Sequence, residues 1–311
     1  MIFSVVALLP FARFVAGATY QRTDNIVGSG FQSAFSYEAI PDPTHGRVNY
    51  VNAQTAASQN LTFASANSFV LRADSRTVLN PSGPGRNSIR LKSNKQFTTA
   101  VTIFDVKHMP QGCGTWPALW TVGADWPNQG EVDILEGVND QGPNQATLHT
   151  NAGCTMPASR SQTGTALINN CDVAATGNSG CGVRMNDARS YGPTFNSNGG
   201  GWFAMERTNS FIKVWFWPRS GGVPSDVSAG GTSVNTDSWG TPVANFPSTS
   251  CPISSKFGRH NIIINLTFCG DWAGAVYGSS GCPSSCVDFV NNNPSAFTNA
   301  YFEFNALRVY Q

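Results

Sequence analysis

The chain has 311 residues, a formal net charge of +1 and only 12% charged residues, so it lacks the electrostatic footprint of a nucleic-acid or anionic-membrane binder. Its length allows one large β domain or two small ones. A neutral polymer such as a polysaccharide suits this charge balance. Residues 2–11 are apolar, and Ala16, Gly17 and Ala18 form a small-x-small cleavage site. We therefore expect a signal peptide at residues 1–18 and a secreted, extracellular protein over residues 19–311, with no membrane partner.

Strand-like runs separated by clusters of Gly, Pro, Ser and Asn recur along the chain. Helical periodicity is nearly absent, apart from a short helix predicted over residues 285–291 and capped by Ser284 or Ser285. No internal repeat or linker divides the chain, so we predict one all-β sandwich with long loops over residues 154–200 and 221–259. The predicted strands are 68–72, 88–92, 100–108, 118–122, 131–138, 145–151, 202–207, 210–218, 261–268 and 300–310.

The strand predicted over residues 210–218 is apolar on both faces. Ile212 and Val214 lie on one face, and Trp215 and Trp217 lie on the other. Such a strand is either buried on both sides or has its tryptophan face covered by a loop. We therefore interpret Trp215 and Trp217 as packing residues rather than sugar platforms.

The cysteine count is even, which predicts up to four disulfides in an exported protein and leaves their pairing open. A zinc site is the competing interpretation, because Cys282 and Cys286 are closely spaced. The four histidines are scattered and no paired Cys-x-x-Cys motif occurs, so disulfides are favoured. Asn60 and Asn265 begin glycosylation sequons. Asn265 ends a strongly apolar strand, so Asn60 is the favoured glycan site.

Residues 131–136 read Glu-Val-Asp-Ile-Leu-Glu and predict a β-strand. Alternation places Glu131 and Asp133 on one face, and a β-bulge at about residues 134–135 would return Glu136 to it. Retaining glycosidases need two such carboxyl groups about 5 Å apart, one ionised and one protonated. The alternative is a strand whose acidic face simply meets water. Stacking like charges on one face costs stability, which favours a functional role.

The flanking sequence makes this motif specific. Gly-Thr-Trp-Pro-Ala-Leu-Trp precedes it at residues 114–120, and Gln-Ala-Thr-Leu-His-Thr follows at residues 145–150. Together these segments resemble the catalytic core of glycoside hydrolase family 16, and the fungal endo-β-1,3(4)-glucanases, or laminarinases, most closely. Residues 37–38, 45–50 and 268–274 are similar too, so the resemblance covers nearly all of the mature chain. The bulged E-x-D-x-x-E form typifies laminarinases, whereas lichenases carry E-x-D-x-E.

The resemblance implies a concanavalin A-like β-jelly-roll sandwich of two antiparallel sheets with a concave glucan-binding cleft. It makes Glu131 the nucleophile, Glu136 the general acid/base and Asp133 the assisting acid of a retaining double displacement. It implies that His149 borders the site near the acid/base. No cofactor and no metal ligand are predicted, and a structural calcium is left open.

Glucan clefts use indole rings to pack against the C–H faces of sugars. We expect Trp120, Trp126 and Trp272 to bind substrate, with ordinary packing as the alternative for each. His149 is grouped with these substrate-binding residues, and a satisfied core histidine is its alternative. The role of Trp116 stays open. These residues complete the predicted site.

The sequence thus predicts a monomeric, secreted endo-β-1,3-glucanase that acts on laminarin and that could also accept mixed β-1,3/1,4-glucans. One alternative is a non-catalytic, lectin-like glucan-binding protein, although such relatives generally lose one or both glutamates. Another is a transglycosylase that passes the same intermediate to a sugar hydroxyl. Linkage and branch preference depend on loop shape, which the sequence does not reveal.

Overall fold

The structure is a computed structural model that describes residues 18–311. The predicted signal peptide therefore lies outside the described residues except for Ala18. Within residues 18–311 the strands are β1 (Thr19–Ile26), β2 (Phe35–Tyr37), β3 (Val48–Tyr50), β4 (Thr62–Ala64), β5 (Phe69–Arg72), β6 (Arg86–Ser88), β7 (Arg90–Phe97), β8 (Ala100–His108), β9 (Thr115–Gly123), β10 (Glu131–Glu136), β11 (Gln145–His149), β12 (Thr165–Ala166), β13 (Val183–Arg184), β14 (Gly201–Arg207), β15 (Phe211–Pro218), β16 (Ser233–Asn235), β17 (Ala244–Pro247), β18 (His260–Phe268) and β19 (Tyr301–Tyr310). The α-helices are α1 (Gly30–Ala34), α2 (Ala53–Ser58), α3 (Val173–Thr176), α4 (Gly192–Ser197), α5 (Ser225–Ser228), α6 (Ile253–Lys256) and α7 (Cys286–Asn292).

Two large antiparallel sheets form the domain, which confirms the predicted all-β sandwich. The larger has nine strands, seven of them in the order β16-β1-β19-β8-β14-β15-β17. The other two are β5, which pairs with the first half of β19 where β1 pairs with the second half, and β4, which pairs with β5. The other has eight strands in the order β12-β13-β11-β10-β9-β18-β7-β2. A short parallel pair, β3 and β6, stands apart from both sheets.

The main core lies between the sheets. In β10, the apolar side chains of Val132, Ile134 and Leu135 are fully buried in it. Phe104 and Phe203 contribute to the same core from the nine-stranded sheet. The apolar side chains of the eight-stranded sheet thus face the core. The opposite face of this sheet carries polar and charged residues, including the three acids.

Nine of the ten predicted strands agree with the structure to within a few residues at each end. The tenth, predicted over residues 88–92, spans the end of β6 and the first part of β7. The predicted helix is α7, and the side chain of Ser285 caps it by accepting a hydrogen bond from the backbone N–H of Asp288. The other helices were missed because four to six residues are too few to show a 3.6-residue period. Strand β1 and the short strands β2, β3, β4, β12, β13, β16 and β17 were missed as well. No helix within residues 18–311 has the length and apolar character needed to cross a membrane.

The second face of the nine-stranded sheet is also apolar, as the sequence of β15 predicts. Trp215 is buried, and its ring and that of Trp217 pack edge-on against Trp239, from the loop that follows β16. Both tryptophans therefore lie on the sheet that does not carry the acids, which confirms their interpretation as packing residues.

All eight cysteines form disulfides, so the zinc interpretation of Cys282 and Cys286 is wrong. Two of the disulfides anchor the segment that follows β18. One joins Cys282 to Cys113, and the other joins Cys269 to Cys286. Asn60 is exposed, whereas Asn265 is buried and hydrogen bonded, in agreement with the preference for Asn60 as the glycan site. The pairs are Cys113–Cys282, Cys154–Cys251, Cys171–Cys181 and Cys269–Cys286.

Candidate active site

The predicted β-bulge is present in β10. Asp133 pairs with Trp120 of β9 and Leu135 pairs with the next residue, Leu119, so Ile134 is the extra residue. Ile134 and Leu135 consequently both point into the core, where neither is exposed. The bulge therefore returns Glu136 to the face that carries Asp133.

The side chain of Asn144 holds the bulge in place. Its amide nitrogen donates to the carbonyl of Ile134 at 2.9 Å, and its oxygen accepts from the backbone N–H of Glu136 at 2.8 Å. Both backbone groups lie at the bulge. The regular hydrogen bonds between strands are interrupted there, so backbone groups are left without partners. Asn144 is fully buried and is itself held by the Ser190 hydroxyl, which accepts from its backbone N–H. It thereby fixes the backbone on which the Glu136 side chain stands.

Strand β11 lies beside the acids and brings His149 directly opposite Glu131. His149 Nε2 lies 3.3 Å from Asp133 Oδ2, and Nδ1 lies 3.2 Å from Asn178 Oδ1. An amide oxygen can only accept, so Nδ1 carries a proton and donates to Asn178. Nε2, the second ring nitrogen, is thereby directed toward the acids.

Glu136 has a partner on β9. The indole N–H of Trp116 donates to Glu136 Oε1 at 2.8 Å. Trp272 packs edge-on against the Trp116 ring, with 5.6 Å between the ring centroids. Trp272 lies in the segment tied down by the two disulfides at Cys269 and Cys282. A tethered loop thus supports the indole that holds Glu136.

The concave face continues from the acids across β9, β18 and β7. Trp120 lies opposite Asp133, and its indole N–H donates to Asn265 Oδ1 at 2.7 Å. Arg90 lies over the Trp120 ring, 5.0 Å from its centroid, and its Nε donates to Glu38 Oε2 at 2.8 Å. These contacts fix the plane of the Trp120 ring, as a sugar-stacking platform requires.

The electrostatics of the three acids are dominated by burial. Burial raises the pKa of Asp133 to about 8. Burial, as the largest cause, and the neighbouring carboxylates together raise the pKa of Glu131 and of Glu136 to about 8. Ionising all three at once is therefore strongly disfavoured. The two glutamates have different neighbours. Arg90 favours the ionised form of Glu131, whereas the Trp116 N–H favours the ionised form of Glu136. His149 lowers the pKa of both glutamates.

The structure thus brings together Glu131, Asp133, Glu136, His149 and Trp120 on one face. Trp272 is connected to this group through Trp116. Trp126 is 43% exposed in the turn between β9 and β10, apart from the hydrogen-bonded group around the acids.

Three residues around the acids, Asn265, Asn144 and Asn178, are not among the predicted site residues, and the role of Trp116 is left open by the sequence. Asn265 was read only as a sequon, although its parity in β18 places it on the concave face. Trp116 shares strand parity with Trp120, which was the available signal for its place beside Glu136. Asn144 and Asn178 lie in loops, where the sequence offers no periodicity to place a side chain.

Comparison with known proteins identifies the family. The family model for the XgeA-like catalytic domain of glycoside hydrolase family 16 matches residues 35–310. The chain belongs to glycoside hydrolase family 16. A protein of Schizosaccharomyces pombe named as a probable glycosidase is 47% identical over 297 residues, which are 94% of this chain and 70% of that protein. A probable endo-1,3(4)-beta-glucanase of Aspergillus clavatus is 42% identical, and the match covers 94% of this chain but only 46% of that protein.

Solved structures of family 16 agree with this assignment. Laminarinase 16A from Phanerochaete chrysosporium is 64% identical and superposes with a TM-score of 0.94, covering 94% of this chain and 100% of that one. That structure holds two 6-O-glucosyl-laminaritriose glucans in donor and acceptor sites. An elongating family 16 β-1,3-glucosyltransferase is 42% identical with a TM-score of 0.88. These likenesses confirm the predicted fold, the jelly roll of the family 16 laminarinases.

Proposed function

We propose that this chain is a retaining endo-β-1,3(4)-glucanase. The observation that carries the proposal is the bulged strand β10, which sets Glu131, Asp133 and Glu136 on one concave face. The glucan complex of laminarinase 16A and the name of the Aspergillus clavatus relative support β-glucan hydrolysis. The chain spans less than half of that relative, so the proposal concerns the domain of residues 19–311.

The proposed reaction has two displacements. The Glu131 carboxylate attacks the anomeric carbon and forms a glycosyl–enzyme ester, while the proton of Glu136 passes to the departing glycosidic oxygen. Glu136, now ionised, then takes a proton from water, whose oxygen attacks the anomeric carbon and releases Glu131. Both displacements invert the carbon, so the configuration is retained.

The surroundings support this division of roles. Glu131 benefits from Arg90, whose positive charge lowers its pKa and favours the ionised nucleophile. Arg90 does not contribute to the pKa shift of Glu136, which is held through one oxygen by Trp116. Its other oxygen is left to carry the proton. Asp133, between them and buried, raises the pKa of both glutamates and thereby helps to keep one of them protonated.

Substrate binding is assigned to the aromatic side chains on and around this face. Trp120 is proposed to stack with a sugar ring beside the nucleophile, since its ring plane is fixed by Asn265 and Arg90. Trp126, exposed in the turn before β10, and Trp272, in the disulfide-tethered loop, are proposed to contact more distant sugars. His149 is proposed to act on the acids rather than on the sugar.

Secretion is proposed on the N-terminal pattern and the disulfides. Four disulfides are typical of proteins that fold in an oxidising compartment. We infer that residues 1–18 are removed and that residues 19–311 act as a monomer. Intact mass of the secreted protein and its elution volume in gel filtration test these two points.

A transglycosylase is the second candidate, favoured by the 42% identity to an elongating β-1,3-glucosyltransferase. Both candidates form the same intermediate and differ in whether water or a sugar hydroxyl accepts it. The product profile on laminarin, lichenan and unbranched β-1,3-glucan separates them. Short reducing products with the β-anomer formed first support hydrolysis with retention, and products longer than the substrate support transfer. Unchanged substrate in all three reactions would leave the lectin-like alternative.

A further inference from the structure

The group formed by Glu131, Asp133 and His149 resembles a metal site as closely as it resembles a catalytic one. One ligand atom from each residue can be chosen so that all three lie within 4.8 Å of one another. Carboxylate oxygen and imidazole nitrogen are both zinc ligands, and three protein ligands leave the fourth position of a tetrahedral zinc ion open. Acidic clusters alone are common on protein surfaces, so the case depends on what surrounds these atoms.

The first supporting observation is Asp133 Oδ2, which is buried and has no hydrogen-bond partner. Asp133 as a whole is only 2% exposed. A buried carboxylate oxygen without a partner is costly, so it favours a positively charged group beside it. The group that faces it, at 3.3 Å, is His149 Nε2.

The second observation is the orientation of His149. Its Nδ1–H donates to Asn178, so in the neutral ring Nε2 presents a lone pair toward Asp133. Metal-binding histidines are held in this way, with the other ring nitrogen donating to an acceptor. The 3.3 Å separation matches the distance of about 3.4 Å between two ligands that each lie about 2.0–2.1 Å from a tetrahedral zinc ion.

We propose that Glu131, Asp133 and His149 bind one Zn²⁺ ion and that this ion reversibly inhibits the enzyme. The ion occupies the carboxylate of Glu131 and prevents it from attacking the anomeric carbon. The three ligand atoms lie within 4.8 Å of one another, and binding requires them to approach the edge of about 3.4 Å of a tetrahedral zinc site. The inhibition rests on the proposed role of Glu131, whereas the binding does not.

The imidazole ligand disfavours metal ions that prefer oxygen donors. Ca²⁺ and Mg²⁺ prefer oxygen ligands in sets of six or more, and only two carboxylates are offered here. Cu²⁺ binds nitrogen and oxygen donors at least as tightly as Zn²⁺, so it is expected to inhibit as well. All eight cysteines are in disulfides, so thiols do not compete for the ion.

Isothermal titration calorimetry of the intact protein with zinc chloride tests the binding without any turnover. We expect one ion per chain, and binding weakened about tenfold or more in both Glu131→Gln and His149→Asn. His45→Asn is the matched control, because His45 also pairs with a carboxylate, Asp271, but on the surface. It should leave the affinity unchanged. Circular dichroism shows whether each variant is folded.

No binding at millimolar zinc, or equal affinity in folded Glu131→Gln and wild type, would overturn the proposal. A second arm measures laminarin hydrolysis by the wild type, which should fall with zinc and return with EDTA. Zinc binding without any hydrolysis would contradict the proposed function and leave the metal site intact. Hydrolysis without zinc binding would contradict the metal site alone.

Discussion

Trp116 donates its indole N–H to Glu136 Oε1 at 2.8 Å, and this contact joins the strand before the acids to the proposed acid/base. The contact lowers the pKa of Glu136, because the N–H stabilises the carboxylate more than the neutral acid. It opposes the increase caused by burial and by Asp133. One hydrogen bond thus tunes the group and engages one of its two carboxylate oxygens.

Replacing Trp116 with Phe is expected to keep the packing against Trp272 while removing this donor. The pKa of Glu136 then rises, so the alkaline limb of kcat/KM should move to higher pH. Loss of one charge-assisted hydrogen bond of about 1.5–3 kcal/mol predicts a decrease in kcat of roughly tenfold to a hundredfold on laminarin.

The rates on substrates with different leaving groups show whether Trp116 acts on Glu136 or only packs beside it. A dinitrophenyl glycoside needs no proton from Glu136, so folded Trp116→Phe should cleave it at nearly the wild-type rate. Trp217→Phe, on the other sheet, is the control and should change neither profile. An unmoved alkaline limb in Trp116→Phe would show that the contact does not tune Glu136.

The two hydrogen bonds from the Asn144 side chain to the bulge predict that replacing this residue strongly lowers both stability and activity. In Asn144→Ala the carbonyl of Ile134 and the N–H of Glu136 lose their partners, which costs about 1–3 kcal/mol for each buried group. Urea denaturation should show a loss of on the order of 2–6 kcal/mol in the free energy of unfolding.

The same substitution should lower kcat/KM by more than about tenfold, since the backbone that carries Glu136 is released. Asn128→Ala is the control, because Asn128 is exposed in the turn before β10. Wild-type stability and activity in Asn144→Ala would show that the bulge is held by the strand alone.

The acid cluster predicts that the active site reduces stability in a defined pH range. The pKa of Glu131 is raised from 4.5 to about 8, so the folded state binds its proton more tightly than the unfolded state does. Its contribution is therefore fully present below pH 4.5 and is lost as the pH rises toward 8.

Glu131→Gln removes this dependence. The variant should be more stable than the wild type at pH 7, by on the order of 1–3 kcal/mol, and the difference should disappear below about pH 4. Thermal denaturation at pH 4, 5.5 and 7 measures it. Glu303→Gln, which removes an ion pair with Lys107 on the other sheet, is the control and should not stabilise. Equal stability of Glu131→Gln and wild type at pH 7 would contradict the electrostatic account.

The sequence predicts the features of this protein that arise from local periodicity. Strand β10, its bulge and the shared face of Glu131 and Glu136 follow from alternation plus one extra residue. The two-sided apolar pattern of β15 likewise predicts its covered tryptophans. Strand β1 escapes prediction because its exposed and half-buried polar residues lack an apolar face.

Contacts between distant parts of the chain are not predictable in this way. The role of Asn144 depends on where the β10–β11 loop returns, and the role of Asn178 depends on a loop after α3. The cysteine pairing requires the fold itself, since eight cysteines allow 105 arrangements. The sequence therefore predicts the acids, and the structure is needed for the residues that orient them.

The central claim, that Glu131 is the nucleophile of a retaining glucanase, is tested most directly by laminarin hydrolysis in Glu131→Gln. The isosteric amide keeps the fold and cannot attack the anomeric carbon. We expect folded Glu131→Gln to release reducing ends at least about 10³-fold more slowly than the wild type. Hydrolysis within a few fold of the wild-type rate would contradict the assignment.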